Sequence, residues 1–281
     1  MFKHLTAIWT FRHFWMSLVK MDLLTRYRKS VLGVFWSLLH PLGMTAVFTF
    51  VFYMLGVAGA WKDQAMLTLA GMAVYGFLRD CALQGCQSLI RHESYIRQAP
   101  LPFGIYSLRT MLTNLVHFLI TLGVLVVFVA ALKKDFTVFA NLWMILPIIP
   151  LVMIMGWALS SIFGYATVYF HDISHLLELF AQFLFFMTPI IYRPANLIQP
   201  MKGLDGNAMR DEFGNVVMND KSWIANINPA TAFIDLFRKP LVEGEVPMLG
   251  SYTFAIVTTI LTAMLAVWMD AKLSKRVIFQ M

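Results

Sequence analysis

Two histidines four residues apart, His171 and His175, are the first candidates for chemistry in this sequence. With Asp172 beside the first, they match the spacing at which a helical HExxH motif holds zinc. Against a metal site, aspartate is shorter than the usual glutamate base, no third ligand follows nearby, and the string occupies a short polar turn. We therefore predict a polar turn without a metal, and a membrane-embedded metalloenzyme remains the less favoured alternative.

No other motif for catalysis or nucleotide binding accompanies this string. The sequence has no GxxxxGK[ST] loop, no cysteine-rich metal cluster and no serine or cysteine in a recognisable nucleophile turn. Its two cysteines, Cys81 and Cys86, lie in a mostly apolar stretch and are expected to be small buried side chains. The sequence thus predicts no catalytic residue, no metal and no cofactor bound by this chain.

A different kind of site is indicated in the apolar run from 142 to 169. Trp157, Ser161, Tyr165 and Tyr169 recur every four residues, so they share one face of a helix. Trp157 lies near the middle of the run, away from the membrane boundary where tryptophan and tyrosine normally lie. The pattern predicts contact with protein or with a hydrated channel, and ordinary helix packing is the alternative.

Membrane helices are the elements that must position these residues. Hydrophobic residues make up 59% of the chain and charged residues 13%, the latter about half the share found in soluble domains. The net charge of +7 lies in short segments beside the apolar blocks, a pattern typical of membrane orientation and not of nucleic-acid binding. We predict an all-α polytopic membrane protein.

Six apolar blocks are long enough to cross about 30 Å of hydrocarbon as helices. One of them is long enough only if it contains Arg79 and Asp80, and a charge at a helix centre costs roughly 2.5–3.5 kcal/mol. We therefore predict that this pair faces protein or water, at a subunit contact or in a channel wall. The predicted spans are 35–59, 65–90, 105–132, 142–169, 175–192 and 251–269.

Lysine and arginine indicate the orientation of these spans. They concentrate before the first span, between the second and third, and after the last, whereas the short connections opposite hold Lys62, Lys133 and Lys134. Both termini are therefore predicted to be cytoplasmic. The division of the chain is then a cytoplasmic segment 1–34, a transmembrane domain 35–269 with an extracytoplasmic loop 193–250, and a cytoplasmic tail 270–281.

The segment before the first span predicts an amphipathic helix. Phe11, Phe14, Trp15, Leu18 and Val19 recur at helical spacing opposite polar residues, as in a helix that lies in the membrane surface. A cytosolic helix packed on a partner is the alternative. The cations that follow are predicted to anchor the first span at the inner headgroups; they are Arg26, Arg28 and Lys29.

Four segments, taken in order, resemble the permease subunits of type-2 ABC transporters, in particular the branch that exports O-antigen, capsule or teichoic acid polymers. They are RYRKSVLGVFWSLLHPL (26–42), GMAVYGFLRD (71–80) with SLIRHESYIRQAPLPFGI (88–105), FHDISHLLELFAQFLFFMTPIIY (170–192) and NPATAFIDLFR (228–238). The sequence departs from the family at His171, where arginine is more usual, and in a polar insert at 201–221. Turn residues in the insert indicate an extracytoplasmic loop with a hairpin.

The resemblance implies an ATP-driven exporter of lipid-linked polysaccharide in the bacterial cytoplasmic (inner) membrane. Two copies of this six-helix chain would form a homodimer with a translocation channel between them. Two copies of a separate ATPase would bind the ATP and magnesium, so this chain itself would not be an enzyme. A drug or lipid exporter of the same superfamily is the alternative.

The resemblance also implies where the partner and the polymer bind. The ATPase would contact the segment between the second and third spans, where Arg91, Glu93, Tyr95 and Arg97 lie on a short amphipathic stretch suited to a partner's groove. In the channel, the stripe that contains Trp157 would present flat rings to the apolar faces of sugars. The next span would add three rings to that wall, with contact to lipid as the alternative for them: Phe180, Phe183 and Phe186.

Overall fold

The computed structural model describes residues 11–27, 35–56, 60–92, 102–194, 198–200, 218–220, 223 and 227–277. Its helices are α1 Arg12–Tyr27, α2 Trp36–Met54, α3 Trp61–Cys86, α4 Gly104–Lys133, α5 Thr137–Ala140, α6 Leu142–Ile145, α7 Ile148–Tyr169, α8 Ile173–Met187, α9 Pro229–Arg238 and α10 Leu249–Val277. A 3-10 turn covers Ile90–His92, and a π-helical turn, Lys239–Glu243, continues α9. Strands β1, Ile198–Pro200, and β2, Met218–Asp220, pair antiparallel.

Within the described residues, four helices are long and apolar enough to cross a membrane: α3, α4, α7 and α10. The remaining two predicted spans correspond to α2 and α8, which are apolar but shorter. With 19 and 15 residues, they measure about 28 and 22 Å at 1.5 Å per residue. The α-helical membrane architecture is confirmed, and the count of six crossings stays a prediction.

Helix α3 is the centre of the bundle and contacts α2, α4, α7, α8 and α9. Small residues let its backbone approach α7 closely, because a Cβ on Gly85 would lie 2.6 Å from the Ser160 Cα atom. A Cβ on Gly164 of α7 would likewise meet the Ser88 hydroxyl at 2.8 Å. Close approach at small residues is how helices pack in lipid, where burial of apolar surface alone favours no contact.

The predicted N-terminal helix is present as α1 and packs against α4 of the same chain. Leu18 is buried in this contact, and the Arg109 guanidinium of α4 donates to the Asp22 carboxylate. Whether α1 also lies in the membrane surface stays a prediction. Of the proposed anchor, Arg26 belongs to the last turn of α1, and Arg28 and Lys29 lie outside the described residues.

The far end of the bundle contains an unwound stretch after α8. Helix α8 stops at Met187, and the carbonyls of Pro189 and Ile190 accept hydrogen bonds from the buried Arg238 guanidinium, at 2.6 and 3.3 Å. The next carbonyl, of Ile191, accepts from the Gln64 amide at 2.6 Å. Side chains of α9 and α3 therefore satisfy the backbone groups that the helix leaves open.

Helix α9 starts with a sequence-encoded cap. The Asn228 side chain accepts the backbone N–H of Ala230 at 3.0 Å, and Pro229 occupies the first helical position, where its missing N–H costs nothing. The Asn228 amide also donates to the Thr188 hydroxyl at 2.7 Å. Two segments that carry the family resemblance, one ending span five and one preceding span six, are thereby in direct contact.

Strand β1 ends just before the polar insert, and strand β2 lies near the end of the insert. Strand β1 precedes residues 201–217 and strand β2 follows them, with Ile198 opposite Asp220 and Pro200 opposite Met218. This pairing is the base that the expected hairpin requires. The residues between the strands lie outside the described part of the chain.

Candidate functional site

A cavity of about 630 Å³ with both polar and apolar lining lies between α2, α3, α4 and α8. Ionisable and amide side chains reach it from all four helices, although each such group is costly in hydrocarbon. Their convergence indicates a space for water or for a polar ligand. These lining residues are His40, Arg79, Asp80, Asn114, His117 and Gln182.

The charged pair predicted inside the second span forms part of this cavity wall. Arg79 Nη1 and Asp80 Oδ1 are 3.9 Å apart, and both side chains are partly exposed. They lie in the last third of α3, opposite Asn114 and His117 of α4 across the same space. The pair thus contributes both signs of charge to one wall of the cavity.

Aromatic rings surround the polar groups. The rings of Phe48 and Tyr75 both contact the Phe185 ring, with centroids 5.6 and 5.7 Å apart. The Tyr75 hydroxyl donates to the Ala181 carbonyl and so joins α3 to α8. Flat rings beside hydrogen-bonding groups suit a ligand that has both apolar faces and hydroxyls. The rings that line the cavity belong to Trp36, Phe48, Tyr75, Phe77, Phe118 and Phe185.

The structure places the predicted stripe of α7 elsewhere. Tyr165 is 1% exposed, and its hydroxyl donates to the Asp270 carboxylate of α10. The Trp157 indole donates to the Gly104 carbonyl of α4 at 3.4 Å. Ser161 is buried, and Tyr169 is half-buried against a cluster at the end of α7.

These contacts favour the alternative of ordinary helix packing, and a channel wall on α7 stays a prediction. The polar ends of Trp157 and Tyr165 find partners in α4 and α10 of the same chain. No polymer can reach Ser161 or Tyr165 in this conformation, because both are enclosed by protein. The spacing predicted a shared helix face, and in the single chain Trp157 and Tyr165 on that face contact protein. The aromatic and polar cavity is instead formed by α2, α3, α4 and α8.

The three phenylalanines predicted for the same wall lie on the outer face of α8. Phe180, Phe183 and Phe186 are 54%, 59% and 57% exposed in the single chain. The opposite face of α8 turns inward through Leu177, Ala181 and Phe185. The cavity is therefore lined by Gln182 and Phe185 and not by the three predicted rings.

The predicted ATPase-coupling segment is described at its two ends. Arg91 is exposed in the 3-10 turn, and Glu93, Tyr95 and Arg97 lie outside the described residues. The His92 ring stacks on the Tyr106 ring of α4, with centroids 5.6 Å apart. His92 Nδ1 also lies 2.8 Å from the Ser88 carbonyl oxygen. The first end of the segment is thus held against α4.

The histidine string lies on the surface of the described structure. His171 and Asp172 form the turn before α8, and His175 belongs to the first turn of that helix. All three side chains are exposed. Among the residues that the structure describes, no group of three or more potential ligands is arranged to hold a metal ion.

A comparison with known protein families identifies the chain. Residues 13–204 match the ABC-2 type transporter family, a match that covers more than half of the sequence. The chain belongs to the ABC-2 type transporter family. The resemblance drawn from four segments is confirmed, and membership makes the chain a membrane transport protein and not an enzyme.

Individual relatives indicate which branch of this family the chain resembles. Two O-antigen export system permease proteins of Klebsiella pneumoniae are 24% and 23% identical, the first over 79% of this chain and 78% of its own length, the second over 85% of both. An O-antigen export system permease protein of Myxococcus xanthus is 23% identical over 71% of this chain and 75% of its own. ABC-2 transporters of the polysaccharide-export branch are thus the relatives of this chain across most of its length.

Several polar contacts of this ABC-2 protein were not predicted from its sequence. The pairs are Arg109 with Asp22, Tyr165 with Asp270, and Arg238 with the carbonyls after α8. Each includes an ionisable residue inside or beside an apolar run, which is the signal that an intramembrane charge has a specific partner. Arg109, near the start of the predicted third span, is buried in the first turns of α4.

Proposed function

We propose that this chain is the permease subunit of an ATP-driven exporter that moves lipid-linked polysaccharide across the bacterial cytoplasmic membrane. It acts as a homodimer with two copies of a separate ATPase, which binds the ATP and magnesium. Both termini face the cytoplasm. Family membership supports the transport role, and the O-antigen relatives support polysaccharide as the substrate class.

The cavity is the observation that carries this proposal. It combines charged and amide groups with six aromatic rings inside an otherwise apolar bundle. A sugar ring has apolar faces and a rim of hydroxyls, so it can stack on flat rings while its hydroxyls bond Arg79, Asp80 and their neighbours. Contacts of this kind are weak and repeated, and they let a polymer move without being held at one unit.

The energy source must come from another chain. The sequence has no phosphate-binding GxxxxGK[ST] loop, so ATP is hydrolysed by a partner that this chain contacts from the cytoplasm. The segment that starts at Arg91 is the proposed contact, because it joins two membrane helices and bears alternating charges. A second copy of the chain then completes a path whose wall includes the cavity of each subunit.

Replacement of Asp80 by leucine tests the role of the cavity. We expect export of polysaccharide to fall by about tenfold or more, because Arg79 is left without its neighbouring carboxylate and the cavity wall becomes cationic. The amount of protein in the membrane should stay within about twofold of wild type, since an aspartate within a span opposes insertion. Surface polysaccharide and membrane-inserted protein would be measured in the same cells, in a strain that lacks the native gene.

Asp63 offers a matched control on the same helix. It lies in the first turn of α3, is exposed, and does not line the cavity. Asp63→Leu should leave export unchanged. Equal export by Asp80→Leu and Asp63→Leu would show that the cavity is not part of the transport path. Normal surface polysaccharide in the strain that lacks the gene would favour a drug or lipid exporter.

A further inference from the structure

The end of α1 and the start of α4 are joined by an ion pair that the proposed function leaves unused. The Arg109 guanidinium donates through Nε and Nη2 to the two carboxylate oxygens of Asp22. Arg109 is 3% exposed, whereas a third of the Asp22 side chain, 33%, reaches solvent. The pair is therefore buried on the arginine side and open on the aspartate side.

The geometry of this pair fixes the register of α1 on α4. A two-pronged arginine–carboxylate pair is directional, because both N–H groups must meet both oxygens in one plane. Leu18, one turn earlier on α1, is buried beside it. A buried guanidinium is stable only with such a partner, so separation of α1 from α4 would expose or orphan the charge of Arg109.

The ATPase-coupling segment begins and ends at the same turns of α4. At its start, His92 stacks on Tyr106, which precedes Arg109 by one turn. At its end, the buried Phe103 leads directly into α4. The segment and α1 are thus attached to one short stretch of α4.

The electrostatic environment of His92 agrees with this proximity. Burial lowers the pKa of His92, and the Ser88 carbonyl opposes that change. The charges of Arg109 and Asp22 also shift the pKa of His92, in opposite directions. Both members of the ion pair therefore lie close to the start of the coupling segment.

We propose that Asp22 and Arg109 are positioning residues for energy coupling, which tie α1 to the first turns of α4 so that α1 and the coupling segment move as one unit. This inference rests on the proposed function, in which a separate ATPase drives the movement. Helix α1 is then part of the moving machinery of the exporter. A free membrane-surface helix would have no such link to the coupling segment.

The unequal burial of the pair predicts unequal effects of its loss. Asp22→Asn leaves a buried guanidinium without a countercharge, and we expect about a tenfold loss of polysaccharide exported per ATP hydrolysed. Arg109→Met keeps the bulk and leaves a carboxylate that can reach water, so the expected loss is only about two- to threefold. Lys20→Gln, an exposed change on the same helix, should have no effect. If the pair had a purely structural role, its loss would lower the amount of protein, the rate of ATP hydrolysis and export together. The amount of polysaccharide exported per ATP hydrolysed would then stay unchanged.

Reversible cross-linking tests whether Asp22 and Arg109 act by holding α1 against α4. The purified permease–ATPase complex would carry Asp22→Cys and Arg109→Cys together, reconstituted in vesicles. Because an arginine–aspartate pair holds its backbones farther apart than a disulfide allows, a short bis-methanethiosulfonate reagent would join the two cysteines. Cys81 and Cys86 are buried, and the treated wild-type complex controls for them.

The reduced double variant has no orphaned guanidinium, so the proposal expects its export per ATP to be about two- to threefold low, as in Arg109→Met, and to return to the wild-type value after cross-linking. Absence of a cross-link would overturn the docking of α1. A cross-link that blocks export until it is reduced would overturn the single moving unit, because α1 would then have to separate from α4. Cross-linking needs no substrate, so failure of the wild-type complex to export polysaccharide would overturn the proposed function alone.

Discussion

Arg238 is a buried cation whose side chain binds backbone carbonyls. It is 3% exposed and donates to the carbonyls of Pro189 and Ile190, which no helical turn can satisfy after α8 ends. In a medium without water, these carbonyls depend on a side chain. One residue therefore stabilises the break that ends span five.

Arg238→Met should destabilise the protein. The side chain keeps its bulk, but two buried carbonyls lose their donor, at a cost of about 1–3 kcal/mol for each. We expect a lower midpoint temperature of unfolding for the detergent-solubilised protein. Arg193→Met, a change at a nearby exposed arginine, is the control and should leave the midpoint unchanged. Equal midpoints for both variants would contradict the assigned role of Arg238.

The contact between α3 and α7 depends on the absence of a side chain at Gly85. A Cβ there would lie 2.6 Å from the Ser160 Cα atom and 2.9 Å from its carbonyl oxygen, both of them backbone atoms that cannot turn away. Gly85→Ala should push the helices apart and cost about 1–3 kcal/mol of stability. Thermal unfolding in detergent would measure this loss.

Gly76 in the same helix is the matched control for Gly85. Apart from its chain neighbours and the adjacent backbone of α3, no heavy atom lies within 4 Å of a Cβ built on Gly76. Gly76→Ala should therefore stabilise α3 slightly, by up to about 1 kcal/mol, since alanine restricts the unfolded chain and favours the helix. A loss of stability for Gly76→Ala as large as for Gly85→Ala would show that the close approach is not the cause.

The helices of this protein follow from its sequence more directly than the contacts between them do. Apolar length and the positions of charges predicted the helices, because lipid requires each span to satisfy its own backbone. Asn228 and Pro229 are recognisable as a helix start, yet the buried docking of α9 depends on Arg238 meeting carbonyls more than 40 residues away in sequence. Periodicity identified the face of Tyr165, but only the fold brings Asp270 to it.

The cavity could not be predicted from the sequence, because its lining residues come from separate helices. Arg79 and Asp80 were recognisable as costly intramembrane charges, which predicts that they avoid lipid. His40, His117 and Gln182 lie on three other helices, and each alone resembles an ordinary residue of an amphipathic helix. Their common function follows only from the packing of α2, α4 and α8 around α3.

At the scale of the whole molecule, the topology depends on whether α8 crosses the membrane. Its 15 residues reach about 22 Å, short of the roughly 30 Å of hydrocarbon. The unwound residues from Thr188 to Ile191 continue the path, and all four are buried. Non-helical backbone is tolerated at membrane depth only when protein satisfies it, as Arg238 and Gln64 do here. We therefore predict that the helix and the unwound stretch together form one crossing.

Two single cysteines test this crossing. His171 precedes α8 and Glu245 follows α9, and both are exposed, so a membrane-impermeant maleimide can reach either one from its own side. Because one crossing lies between them, a cysteine at His171 should react only after the cells are opened, and a cysteine at Glu245 should react in intact cells whose outer membrane, where present, has been breached. A cysteine at Asn207 in the insert should behave like the one at Glu245.

The buried Cys81 and Cys86 contribute little background, which the unsubstituted protein measures. If His171 and Glu245 were labelled from the same side, α8 would lie along one face of the membrane, and the chain would cross an odd number of times between its termini.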